Sequence, residues 1–288
     1  MGVTAPFAPW RGGVGGVRMG LAPIEPAEWL VRTCDHDARL AEKRALFDRE
    51  PARVYGSDER PATRAAVDEL CELLGEYLTS RTGWTVDASL PPLVNAAFNV
   101  DEDLCVLLPE QEDHRLVAAA VFAPSYWRLA EKLGEPLQRV HAPVVQLEER
   151  IGARIRQLLA RLDPARVLMR GNWHVHTGAE RFHPASDDWS RAQFDESNVG
   201  ERLFVRTERQ TLRKLPQSGA VVFTILVHVH RLDELAADRV LVEDLLNAFE
   251  NMPEIERAER HFDIVGAPLR GWLVRLRNQT GASAGAAR

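Results

Sequence analysis

The segment running from Val205 to His230, VRTERQTLRKLPQSGAVVFTILVHVH, limits the possible folds more than any other part of the chain. Its second half, AVVFTILVHVH from Ala220 onward, is an apolar run that reads as a strand of period two, with His228 and His230 on one face. Its first half sets Arg206, Glu208, Arg209, Arg213 and Lys214 beside that strand, and the breakers Pro216 and Gly219 divide the two. Concentrated charge next to a strand that should be buried marks the edge of a site. If the first half is also extended, Arg206 and Glu208 face one way and Arg209 the other. Guanidinium groups match carboxylates bidentately, so Arg206, Arg209 or Arg213 could clamp an acidic group, and a buried Glu208 could neutralise a cationic amine. The competing reading is an Arg/Glu network that pins the strand to a neighbouring helix, costly to break because a lone buried charge would remain.

Other segments extend this to an α+β fold. Val67, Leu70, Leu74, Tyr77 and Leu78 recur at helical spacing, as do Leu147, Ile151, Ile155, Leu158, Leu159 and Leu162. Leu104 to Leu108 and Leu116 to Phe122 predict an antiparallel pair, and Arg166 to His176 and Ala220 to His230 two more strands. Ser125 is expected to cap a short helix reaching Leu133, and another helix is expected from Arg239 to Phe249. Helices and strands come in groups, which argues for an antiparallel sheet flanked by helices and against βαβ units. Within 288 residues, 45% of them hydrophobic, residues 21–280 are expected to form one domain. Residues 1–20 and 281–288, rich in Gly, Ala and Pro, are expected to be disordered.

Several function classes are disfavoured. A net charge of -6 with interleaved signs offers no basic field for nucleic acid and slightly favours a cationic small substrate. No window approaches the roughly 20 apolar residues that span a bilayer, and no signal peptide is visible, so no membrane association and a cytoplasmic location are expected. Cys34, Cys71 and Cys105 are too few and too scattered for a disulfide framework or a CxxC knuckle. They read as reduced structural thiols. Dinucleotide, P-loop, serine-hydrolase and HExxH motifs do not occur.

The histidines leave alternatives open. His174 and His176 in NWHVH share one strand face, and His183 follows across a turn at Gly178, so two or three imidazoles could meet one non-haem metal ion. Such pairs on a strand are also common without metal, and His228 and His230 read more simply as a strand end. His141, in RVHAPV with Pro143 keeping the backbone extended, is either a loop hydrogen-bonder or a metal ligand.

Four blocks carry a family resemblance: ERQTLRKLPQSGA, KLGEPLQRVHAPV around His141, MRGNW around Trp173, and GLAPIEPAEWL near the N-terminus. From about Gly20 to about Leu273 the chain resembles the α subunit of haem-dependent oxidative N-demethylase, the dimethylamine monooxygenase family. The resemblance implies a PAS-like antiparallel sheet forming a haem pocket, with His141 as the axial ligand of the haem iron. With haem in such a pocket, guanidinium chemistry leads to the expectation that Arg206, Arg209 and Arg213 hold its propionates and that Glu208 meets the substrate amine. Without CxxCH the haem b would be held non-covalently. The implied activity is oxidative N-demethylation of a small methylated amine such as dimethylamine, using O2 and releasing formaldehyde. Implied partners are a flavin and iron-sulfur reductase subunit that passes electrons from NADPH, and a folate-binding subunit that accepts formaldehyde. Two alternatives remain: a PAS-like haem or ligand sensor without turnover, and a non-haem metal enzyme using His174, His176 and His183. Trp127, Lys132 and Trp173 lie in the resembling blocks and fit packing as well as recognition.

Overall fold

The computed structural model describes residues 7–13, 20–141, 151–187, 189 and 193–285. Its strands are β1 (Ala22–Ile24), β2 (Tyr55–Ser57), β3 (Asp103–Glu110), β4 (Asp113–Ala120), β5 (Val167–His176), β6 (Phe204–Lys214) and β7 (Val221–Arg231). All pairings are antiparallel, in the order β1-β5-β6-β7-β3-β4-β2. The expected helices are α3 (Pro61–Thr79), α7 (Ala153–Arg161) and α9 (Arg239–Glu250), the last capped by the Asp238 carboxylate. The part of the second expected helix that precedes residue 151 lies outside the described residues. The helical layer is completed by α1 (His36–Arg49), α2 (Pro51–Val54), α4 (Pro92–Ala97), α5 (Leu129–Lys132), α6 (Leu137–Val140), α8 (Val199–Arg202), α10 (Glu254–Glu259) and α11 (Phe262–Gly285). None of the described helices is long and apolar enough to cross a membrane.

The central hairpin follows from its turn chemistry. Gly219 adopts a φ of 70°, which favours glycine, and the Glu69 carboxylate of α3 accepts the backbone N–H groups of Gln217 and Ser218 at 2.6 and 2.8 Å. The β3–β4 hairpin closes more tightly than its polar connector predicts, through Gln111 at a φ of 53°.

Side chains directly opposite in antiparallel strands share a face, so the register assigns every residue. On one face Leu104, Val106, Ala118, Ala120 and Val222 pack against α3, and Trp173, Val175 and Val205 pack against α9 and α11. On the other, Cys105, Leu107, Leu168, Leu212 and Phe223 pack against α5, α6 and α7 through Leu129, Leu137, Val140, Ile155 and Leu159. Arg170, Asn172 and His174 of β5 and Arg206, Glu208 and Gln210 of β6 belong to this second face.

Residues 7–13 dock on the folded chain. Trp10 is fully buried, donates from Nε1 to the Leu241 carbonyl at 3.1 Å and stands edge-on to Trp173 at 5.7 Å. This docking explains Gly171 in MRGNW, since a Cβ there would come within 2.7 Å of Pro9. Ser125 does not cap a helix: α5 begins only at Leu129, with Arg128 at its cap, because residues 123–126 are held in a bridge to His183.

The acidic run Asp101–Glu102–Asp103 is buried at the start of β3 and is met by Lys43 of α1. The Lys43 ammonium donates to the carbonyls of Ala97, Val100 and Glu102 at 3.1, 2.8 and 2.7 Å. Burial pushes its pKa down, and the neighbouring carboxylates oppose that shift. Lys43→Ala should destabilise the fold by about 3–5 kcal/mol in denaturant unfolding, because it leaves three carbonyls and buried carboxylates without their cation.

Beside α1, Arg39 donates to the Val227 carbonyl at 2.7 Å and stands near His228. Burial, then Arg39 and His230, push the His228 pKa from an ordinary 6.5 to about 4. Since the unfolded chain takes up this proton first, the contribution of His228 is complete above pH 6.5 and is lost as the pH falls to about 4. Thermal melts should therefore show a shallower loss of stability over that window in His228→Asn than in the parent.

Candidate functional site

The second face of the sheet carries a polar strip where β5 meets β6. Arg170, Asn172 and His174 lie opposite Gln210, Glu208 and Arg206. Period-two alternation puts all six on one side, and the same alternation sends Arg209 and Arg213 to the other. There Arg209 donates to the carbonyls of Trp29 and Glu28 at 3.0 and 2.5 Å, and Arg213 lies over the Trp29 ring at 4.5 Å. Of the sequence-predicted site residues, Arg206 and Glu208 therefore come together, while Arg209 and Arg213 hold the N-terminal segment to the opposite face.

Arg206 is fully buried. Its Nε donates to Glu208 Oε1 at 3.2 Å, one terminal nitrogen donates to the Arg181 carbonyl at 2.9 Å, and the other donates to the Ala123 carbonyl. Those two carbonyls belong to segments 123–126 and 181–187, which run beside each other: Tyr126 N–H donates to the His183 carbonyl at 2.8 Å, and His183 N–H to the Pro124 carbonyl at 3.1 Å. One guanidinium thus staples two straps to the sheet. Arg181 also ties the second strap to α1, through Glu42 at 2.8 Å and Asp35 at 2.9 Å.

Glu208 Oε2 accepts from Gln210 at 2.8 Å and from Asn172 at 3.4 Å. Burial raises its pKa, but the Arg206 charge and these hydrogen bonds outweigh that effect and hold the carboxyl below its ordinary range. It stays anionic at neutral pH. Arg170 lies near it, and the buried Nε of Arg170 has no partner among the described residues.

The imidazoles are driven the opposite way. Burial, followed by the charges of Arg260 and Arg206, pushes His174 well below its ordinary pKa, and its Nε2 meets the Asn172 amide at 3.0 Å. Burial and then Arg206 push His176 down to about 2. Both are neutral, with a lone pair to offer.

At the end of β5 the straps gather a second group. Tyr126 donates its hydroxyl to Asp187 Oδ2 at 2.7 Å, His183 Nε2 meets Asp187 Oδ1 at 2.9 Å, and Ser125 Oγ is 3.1 Å from His176 Nε2. The Tyr126 ring stacks on His176 at 4.6 Å. To reach this position Tyr126 adopts a φ of 58°, a strain costing on the order of 1–3 kcal/mol that surrounding contacts must offset. Of the three histidines expected to meet, His176 and His183 do so, and His174 stands apart with Asn172. Asp187 and Tyr126 were missed by sequence reasoning; the available signal was an acid four residues after His183 in a loop rich in Pro and Ser.

His141 forms the C-terminal cap of α6, whose Leu137 and Val140 pack on this same face, and the rest of its HAPV motif lies outside the described residues. A cavity of about 510 Å3 lies beside the straps, lined by Lys43, Asp103, Phe122, Arg181, Ile225 and Val227, with no histidine on its walls. The larger groove between α3 and α4, about 900 Å3, has neither histidine nor arginine.

Arg206→Met should cost about 3–5 kcal/mol, since it leaves Glu208 buried without its cation and removes the staple from both straps. Proteolysis under native conditions should then cut first within residues 179–187. Uniform destabilisation without local cleavage would show that the straps do not depend on Arg206.

The strip, the straps and the strands beneath them all fall within residues 80–266, the region matched by a family model described as "haem-dependent oxidative N-demethylase, alpha subunit-like". With well over half its length matched and these features inside the match, the chain belongs to the haem-dependent oxidative N-demethylase, alpha subunit-like family.

Proposed function

We propose that this chain is the haem-carrying subunit of an enzyme that removes an N-methyl group from a small amine such as dimethylamine, with the antiparallel sheet serving as a PAS-like haem pocket. The observation that carries this reading is the buried polar strip in a chain of this family: neutral imidazole, fixed carboxylate and an incompletely satisfied guanidinium on one sheet face. A buried face with a cationic donor still lacking a partner suits haem, whose propionates need guanidinium partners in a dry pocket. His141 is the proposed axial ligand, supported by its RVHAPV motif and by the packing of α6 on the same face. For the propionates Arg170 is the better candidate than Arg206, Arg209 or Arg213, because its Nε lacks a partner while those three are engaged by protein groups.

When bound, non-covalent haem b supplies oxidation of the N-methyl carbon by O2. The chain binds and orients. Glu208, held anionic by Arg206, neutralises the ammonium of the incoming amine, and Asn172 and Gln210 fix the carboxylate in place. Electrons from NADPH must arrive through another subunit, a flavin and iron-sulfur reductase, because this sequence has no nucleotide fingerprint. The designation alpha subunit supports further subunits, among which a folate-binding formaldehyde acceptor fits the product.

The test is a visible spectrum of the protein supplied with haem, then NADPH- and reductase-dependent formaldehyde release from dimethylamine. A Soret band is expected, lost in His141→Ala with helical circular dichroism retained. A Soret band without turnover would instead favour a sensor. Glu208→Gln keeps an oxygen for Arg206 and removes the charge, so the apparent Kd for dimethylamine should rise ~10-fold or more at unchanged haem content. An unaltered titration would remove Glu208 from the amine site.

A further inference from the structure

The group at the end of β5 has a composition that the haem reading does not use. One donor atom from each of His176, His183 and Asp187 lies within 4.8 Å of the other two. We propose that these three side chains bind a divalent first-row transition-metal ion of the zinc or ferrous iron class, separate from any haem.

Two imidazoles and one carboxylate, all from protein, form a set that holds such an ion and leaves positions open. The donors are positioned: the Tyr126 hydroxyl at 2.7 Å and the Thr177 N–H at 2.9 Å both bind Asp187 Oδ2, which leaves Oδ1 turned toward His183. Holding one oxygen while the other faces the ion is how outer hydrogen bonds orient a ligating carboxylate. His183 Nε2 and Asp187 Oδ1 stand 2.9 Å apart. Adjacent donors on tetrahedral metal bonds of about 2.0–2.1 Å stand about 3.3 Å apart, so the ion replaces their hydrogen bond with a few tenths of an ångström of movement.

Charge and space agree. Side-chain exposures of 14% for His183 and 6% for Asp187 keep the site from bulk solvent. Arg206 does not oppose a cation with its full charge, because Glu208 is paired with it. The rings of Tyr126 and His183 lie 4.6 and 4.7 Å from the ring of His176, too close for a macrocycle to enter between them. The ion joins the 181–187 strap to β5 beside Tyr126, which carries its backbone strain.

The test adds Zn2+ to the haem-loaded protein after dialysis against a chelator, with calorimetry and elemental analysis for zinc and a separate haem assay. One zinc per chain should bind, with affinity lowered at least ~100-fold in His183→Ala and Asp187→Asn and haem content unchanged. Tyr126→Phe keeps the stacked ring and removes only the hydroxyl on Asp187. It should weaken zinc binding ~10-fold at a near-normal melting temperature, which keeps the test valid if the ligand variants fold poorly. Zinc binding by the parent no tighter than by Asp187→Asn or Tyr126→Phe would overturn the proposal. So would loss of the Soret band in His176→Ala together with no zinc uptake by the parent, which would assign that imidazole to haem.

Discussion

A single buried guanidinium organises this site. Arg206 is a charge in the interior of a sheet, and such a charge is tolerated only when each of its donors is met. Its planar fork reaches three directions at once: along the strand to Glu208, and outward to the carbonyls of Ala123 and Arg181. A lysine, with its donors on one atom, could not span those three acceptors. Because the two carbonyls belong to different straps, satisfying the charge also fixes where Ser125, Tyr126, His183 and Asp187 sit above β5.

The strand bearing Arg206 serves two unrelated purposes through its pleat. Residues 206, 208 and 210 build the polar strip, while Arg209 and Arg213 fasten Glu28 and Trp29 to the other side. The density of charge in ERQTLRK thus comes from two half-strength sets with opposite facing. Reading them as one cluster overestimates the cations available to a ligand. The separation also keeps like charges apart, since neighbours in sequence point away from each other across the sheet.

Local pattern made much of the fold legible. The period-two run after Gly219, the helical spacing from Val67 to Leu78 and the helix expected from Arg239 to Phe249 each correspond to an element of the structure. What could not be read were pairings set by distant contacts. Trp10 looks like part of a loose leader until the cavity beside Trp173 and α9 is known, and Ser125 looks like a cap until His183 takes its backbone. The site divides in the same way. Arg206 and Glu208 announced themselves by charge beside an apolar strand, whereas Asp187 is one acid among many in a polar loop and gains meaning only from Tyr126 and His183. Arg170 was hidden by its ordinary setting, and only the register opposite Gln210 places it on the polar face.

The electrostatics of the strip explain why imidazoles and a carboxylate can share it without neutralising one another. An imidazolium beside Glu208 would be the simplest local pairing, yet the carboxylate is already taken by Arg206, and Arg206 with Arg260 raises the potential at His174. Protonating His174 or His176 would add a cation to a buried region that already holds one, so both stay neutral. The staple therefore does more than hold the straps. By pairing with Glu208 and repelling protons from the histidines, it keeps an anion and neutral imidazoles on one face of the sheet at neutral pH, the two properties that a cationic substrate and a metal ion each require.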